Sequence, residues 1–227
     1  MISIDRRGLL GCAALLPLAA LGACVTGSRG WNLEEGVRRL LTLSSQRAFE
    51  RLLAPNGFYD DQLARITPPE GLETQNRAGN VLARVMQTPA MRRQMAIALN
   101  RAAGEAADRA TPVVLDAISG MTFADAYSVL RGGPTAATDL LQRHVGGALI
   151  DAMLPEVSYG LRTDMAQIAG AALEAATGID YVELGRTVAE QASAGIFRVI
   201  GREEAAIRAD PESTHDPMLI ALLMGTR

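Results

Sequence analysis

Lysine is absent from this chain of 227 residues: all 22 basic side chains are arginines. That removes the lysine chemistries in their usual form, namely a phosphate-binding P-loop lysine, a Schiff base, an S-x-x-K acylase and a kinase lysine. Cysteine is nearly absent, with Cys12 and Cys24 alone, and aromatic residues make up only 4%. The two histidines, His144 and His215, lack metal-ligand neighbours at helical spacing, so no metal site is expected. The net charge is −3, and nothing here would neutralise a row of nucleic-acid phosphates. Neither a G-x-S-x-G elbow nor a G-x-G-x-x-G or G-K-[ST] loop occurs. No stretch alternates with period two, and no hairpin dipeptide joins β-branched runs, so strands have no signal. What is present is a 48% hydrophobic fraction, enough for a globular core.

The first residues read as an address. Arg6-Arg7 precedes an uncharged run of 16 residues, Gly8 to Ala23. As a helix that run spans about 24 Å at ~1.5 Å per residue, short of the roughly 20 residues a membrane-spanning helix needs and suited to a signal-peptide core. It ends in Leu21-Gly22-Ala23-Cys24, which resembles the bacterial lipobox, where small residues precede a cysteine that is acylated and becomes the first mature residue. The expected division is a signal peptide over 1–23, a lipidated tether over 24–31 and a helical domain over 32–227. Asp5-Arg6-Arg7-Gly8-Leu9-Leu10 is similar to a twin-arginine (Tat) export signal. Asp5 stands where Ser or Thr is usual and the usual Phe is missing, which leaves a plain Sec signal as the other route. Val25 after the cysteine, rather than Asp, favours the outer membrane. Cys12 leaves with the signal and Cys24 is acylated, so the 204-residue mature chain has no thiol for a disulfide and folds on its apolar core alone.

The rest reads as helices. Asn32 with Glu35 forms a capping-box pair, followed by a stripe from Val37 to Leu52 that Pro55-Asn56-Gly57 ends. The stretch 58–76 is irregular, and helical character returns over 77–86. Thr88-Pro89 opens a long helix with Met91, Met95, Leu99, Ala102, Ala106 and Ala110 on one side, broken at Pro112. Thr122 and Asp125 cap a short helix that ends at Arg131-Gly132-Gly133, where a glycine is expected at positive φ. Pro134 starts a helix to about Met153, Pro155 restarts it toward Leu161, and Met165 to Ala176 forms another. Asp180 with Glu183 opens the clearest stripe: Leu184, Val188, Ala192, Ile196, Val199, Glu203 and Ile207. Asp216-Pro217 caps a last helix, Met218 to Met224. The fold class is all-α, a single compact multi-helix domain of about eight or nine helices.

Three segments in this order are similar to the bacterial DUF4197 family: Asn100 to Ala107, Met121 to Ala126, and Leu130 to Thr138 (Leu-Arg-Gly-Gly-Pro-Thr-Ala-Ala-Thr). The helix from Asp180 and the tail Arg208-Ala209-Asp210-Pro211 extend the resemblance over about residues 33–224. It implies an exported, largely helical protein and supplies no activity. Leu141 and Gln142 stand where the family tends to show an aromatic and an Arg.

No residue is assigned as catalytic and no cofactor is expected. The candidate polar cluster is Asn100, Arg101, Glu105, Asp125, Arg131 and Asp139. Arg101 and Glu105, four apart, can pair on the helix surface. In a buried segment Asn100 and Arg101 would need partners such as Asp125 or Asp139. Gly132-Gly133 before a helix start could cradle an anion, though a plain helix corner accounts for it. Asp60-Asp61 lacks the alternating oxygens of a calcium loop. The leading expectation is a periplasm-facing cell-envelope lipoprotein, bound to the membrane through acyl chains on Cys24. Its non-catalytic helical module would bind an apolar ligand or an envelope protein. The alternatives are an enzyme built on the Asn/Arg/Asp cluster and a structural envelope-assembly protein.

Overall fold

The structure, a computed structural model, describes residues 26–68, 88–122, 124, 126–169 and 181–225. Every regular element among them is helical: α1 (Thr26–Leu52), α2 (Gly57–Asp60), α3 (Pro89–Gly120), α4 (Ala126–Arg131), α5 (Ala136–Ala169), α6 (Tyr181–Ala209) and α7 (Pro217–Gly225), with a 3-10 turn at Pro211–Thr214. The all-α expectation is met. No helix among the described residues is long and apolar enough to cross a membrane.

Four long helices make the body. α1 lies against α3, α3 along α5, α5 along α6, and α6 back against α1, so the four close a ring around one continuous core. The stripe read in α6 is the reason it packs. Leu184, Val188, Ala192, Ile196, Val199, Glu203 and Ile207 recur at three- and four-residue spacing, and all are buried. On α3 the inward face is mostly alanine, from Ala102 through Ala110, which lets α5 approach closely. At Gly160 of α5 a Cβ would sit 3.2 Å from that of Ala102.

The helix ends follow local chemistry. Thr88 is extended, its hydroxyl accepts from the Met91 amide at 3.4 Å, and Pro89 fills the first helical position. Asp216 caps α7, accepting from the amides of Met218 (2.9 Å) and Leu219 (3.3 Å). After α1, Asn56 adopts φ 61 and Gly57 packs so closely on the Arg51 and Leu52 carbonyls that no side chain fits there.

Several boundaries differ from the sequence reading. Pro112 does not break α3, and Pro155 does not divide α5. Both rings face solvent, while Ala110 and Val114, and Met153 and Val157, on either side are fully buried. The packing of α3 on α5 therefore holds both helices continuous through the missing hydrogen bond, and Thr111 Oγ1 donates to the Ala107 carbonyl (2.9 Å) just before Pro112. The segments expected at 134–153, 155–161 and 165–176 accordingly appear as one helix as far as Ala169, beginning at Ala136 rather than Pro134. Seven α-helices and a 3-10 turn stand among the described residues. Asn32 lies inside α1 instead of capping it, because the helix already runs from Thr26, through most of the segment read as a tether. α4 starts at Ala126, three residues later than a cap at Thr122 would place it. Neither Gly132 nor Gly133 is at positive φ; a Cβ on Gly132 would collide with that of Ala136, so close approach is what requires glycine there. The expected helix at 77–86 and the expected caps Asp125 and Asp180 lie outside the described residues.

Because both internal prolines are exposed and each removes a helix hydrogen bond, Pro112→Ala and Pro155→Ala are each expected to raise the unfolding free energy by about 1–2 kcal/mol, the helix gain of roughly 3 kcal/mol being partly offset by a freer unfolded chain. Urea denaturation checks this.

Candidate functional site

The middle of α3 places Leu99 and Ala103 in the core and turns the neighbouring Asn100 toward the chain at Ile66. Asn100 is buried, and its amide pairs with that residue in both directions. Oδ1 accepts from the Ile66 N–H (2.8 Å), and Nδ2 donates to the Ile66 carbonyl (2.9 Å) and to the Ala96 carbonyl (2.7 Å). Asn100 thus pins the irregular segment after α2 to α3, while Arg198, donating to the Leu63 carbonyl (2.7 Å), ties it to α6.

Among the described residues Arg101 pairs neither with Glu105 nor with Asp139. Its guanidinium forks onto Asp164 of α5, Nε at 3.0 Å from Oδ2 and Nη2 against Oδ1. Asp164 is nearly buried, whereas more than half of the Arg101 side chain is open to solvent. Asn100, Arg101 and the exposed Glu105 line a cleft of about 350 Å³, closed on other sides by Leu52, Phe58 and Tyr59. The wall is mixed, apolar at α1 and α2 and polar along α3.

The other cluster members lie elsewhere. Arg131 donates to the Tyr127 hydroxyl (2.6 Å), with its guanidinium 5.5 Å from the ring centre. Asp139 accepts from Thr135 Oγ1 (3.3 Å). Both are exposed at the α4–α5 corner, and Asp125 lies outside the described residues. Of the five members that lie among the described residues, the structure brings together Asn100, Arg101 and Glu105, and not Arg131 and Asp139. His144 and His215 are exposed, and Leu141 is a core residue. Asp61 accepts from the Leu63 amide (2.9 Å) and from Arg202 (2.7 Å). Burial pushes its pKa up, but the Arg202 guanidinium and the backbone amides outweigh burial and hold it below the usual carboxylate range.

The strongest polar feature was not read from the sequence. Glu204 of α6 is completely buried. One carboxylate oxygen accepts from the Ala137 amide (3.1 Å), and the other from the Thr138 amide (2.7 Å) and hydroxyl (2.6 Å). One turn later Arg208 bonds the same carboxylate (2.8 Å) and donates to the carbonyls of Leu130 (2.7 Å) and Val129 (3.0 Å). The anion sits on the free amides that begin α5, and the cation on the carbonyls that end α4, of which that of Val129 also accepts from the Gly132 amide (3.2 Å). The anion seat suspected at Gly132-Gly133 is thus one helix turn further on and filled by the chain's own glutamate. The available signal was a Glu followed four residues later by an Arg on α6. The seat itself is 66 residues away in sequence.

A second recess, an open groove of about 440 Å³, runs between α1 and the C-terminal segment. Arg39 bridges Glu35 (2.9 Å) and Asp216 (3.0 Å) there. The Arg39 bond, with a smaller one from Arg38, draws the pKa of Glu35 down against a weaker effect of burial. Burial raises that of Asp216, but Arg39 and the α7 amides leave it lowered overall.

Glu204→Ala is expected to lower the unfolding free energy by about 3–5 kcal/mol, because Arg208 is then left buried without its anion. Arg39→Ala at the exposed groove should leave the unfolding midpoint close to that of the parent, because solvent screens an exposed pair. Urea denaturation of the two variants side by side separates the cases.

Against known proteins, the sequence profile described as "Protein of unknown function (DUF4197)" matches residues 30–223. No curated protein and no solved structure matches the chain. The segments that carried the resemblance are those that build the bundle: Asn100 to Ala107 supplies the Ile66 pin and the alanine face, Leu130 to Thr138 receives Glu204 and Arg208, and Pro211 is buried beyond α6. With the profile spanning nearly all of the helical body, the chain belongs to the DUF4197 family.

Proposed function

We propose that this protein is an acylated cell-envelope lipoprotein, cleaved before Cys24, facing the periplasm from the outer membrane. Its helical body serves as a non-catalytic binding module held close to the lipid. The observation that carries this reading is Leu21-Gly22-Ala23-Cys24 with α1 already helical at Thr26, two residues past the cysteine to be acylated. So short a link keeps the body at the membrane surface. Several acyl chains give a durable hold, at about 0.8 kcal/mol per buried CH₂.

The engagement of the polar side chains supports a binding role over an enzymatic one. Asn100 holds Ile66, Arg101 holds Asp164, and Glu204 holds the α4–α5 corner. The cleft beside Arg101 and Glu105 is the candidate seat for a ligand, and its mixed wall suits a small amphipathic molecule with a polar end toward α3.

Mass spectrometry of the membrane-purified protein, with lipid extraction, tests both parts. The expected result is an N-terminal peptide beginning at an acylated Cys24, lost in Cys24→Ser together with membrane association. A cytosolic protein retaining Met1 would contradict the proposal.

A further inference from the structure

The last helix is apolar all round. α7, Pro217–Gly225, contains no charged residue. Packing on the body accounts for only part of this: Leu219 and Leu223, one turn apart, are buried, and Leu222 presses so tightly on α1 that a Cβ on Gly36 would overlap it. Ala221 and Met224 are nevertheless exposed and Ile220 is half-buried, a face where a surface helix of this length normally carries polar side chains.

Three contacts fix the direction of this segment. Arg47 donates to the Ser213 carbonyl (3.3 Å), Arg39 bonds Asp216 (3.0 Å), and Gly36 meets Leu222. As the C-terminal residue numbers rise, the α1 numbers fall, so α7 runs antiparallel to α1 and ends toward its start. Gly36 is ten residues past Thr26, where α1 begins, about 15 Å along the helix axis. The apolar end of α7 therefore points to the end of the molecule where the acyl chains would enter the bilayer.

We infer that the outer face of α7, formed by Ile220, Ala221 and Met224, seats in the lipid headgroup region beside the acylated N-terminus, giving the body a second contact with the membrane and a fixed orientation on it. This rests on the proposed acylation of Cys24. An apolar helix face lying in the plane of the interface sinks about 5–10 Å into the headgroup boundary. Because α7 runs alongside α1, both helices then lie along the surface, and the body is held at two places rather than swinging from one.

The mature chain has no free thiol once Cys24 is acylated, so an introduced cysteine takes a unique label. Met224→Cys carrying an environment-sensitive fluorophore is compared with Tyr159→Cys, an exposed position on α5. Both are used as full acylated protein in vesicles of phosphatidylethanolamine and phosphatidylglycerol containing nitroxide lipid. The expected result is a blue-shifted label at 224, quenched at least about threefold more than the label at 159, as interfacial burial requires. Equal quenching at the two sites in acylated, vesicle-bound protein overturns the inference alone. A label at 224 that is shielded but not quenched by lipid means a second copy or another protein covers the face, and also overturns it. A chain that is not acylated and does not float with vesicles overturns the anchor reading and this inference together.

Discussion

The corner between α4 and α5 depends on one ion pair one helix turn long. A helix that ends inside a protein leaves carbonyls without donors, and one that begins there leaves amides without acceptors. Here both sets meet at the same place, and Glu204 and Arg208 of α6 answer both. The carboxylate takes the Ala137 and Thr138 amides while the guanidinium takes the Val129 and Leu130 carbonyls. Each charge also faces the helix end whose partial charge is opposite to its own. Because Glu204 is fully buried, removing either partner strands a charge in the core, and the pair therefore fixes how α4, α5 and α6 meet. Gly132 completes the corner, because its hydrogen leaves the room that Ala136 occupies.

The same use of polar groups runs through the body. Asn100 behaves like a short piece of β-ladder toward Ile66, Asp164 holds Arg101 across two helices, and Asp61 holds Arg202 from the segment after α2. An all-arginine cation set suits this architecture, since a guanidinium can bond a carboxylate and backbone carbonyls at once, as Arg208 does. Among the described residues, the mixed cleft beside Arg101 and Glu105, the groove at Arg39 and the uncharged face of α7 stay open to other molecules.

Local features were legible in the sequence and long-range ones were not. The α6 stripe, the Thr88 cap and the Asp216 cap were read correctly because their signals lie within a few residues. Pro112 and Pro155 misled, since a missing hydrogen bond is visible in the sequence but the burial that compensates for it is not. Arg101 was given a near partner at Glu105, whereas its actual partner is 63 residues away. Glu204 escaped notice for a similar reason. The stripe drew attention to Glu203, which is buried among Arg51 and Arg202, while the adjacent Glu204 finds its seat on a different helix. Sequence reading named Asn100 and Arg101 as polar residues needing partners, and the tertiary fold decided which.

The most direct test of the Glu204–Arg208 corner is residue-resolved hydrogen exchange at the Ala137 and Thr138 amides. First-turn amides have no partner within their own helix and normally exchange quickly. If Glu204 holds them, they exchange as slowly as core amides of α6 such as that of Ile196. Exchange at the rate of the open turn at Gly133 would contradict the account.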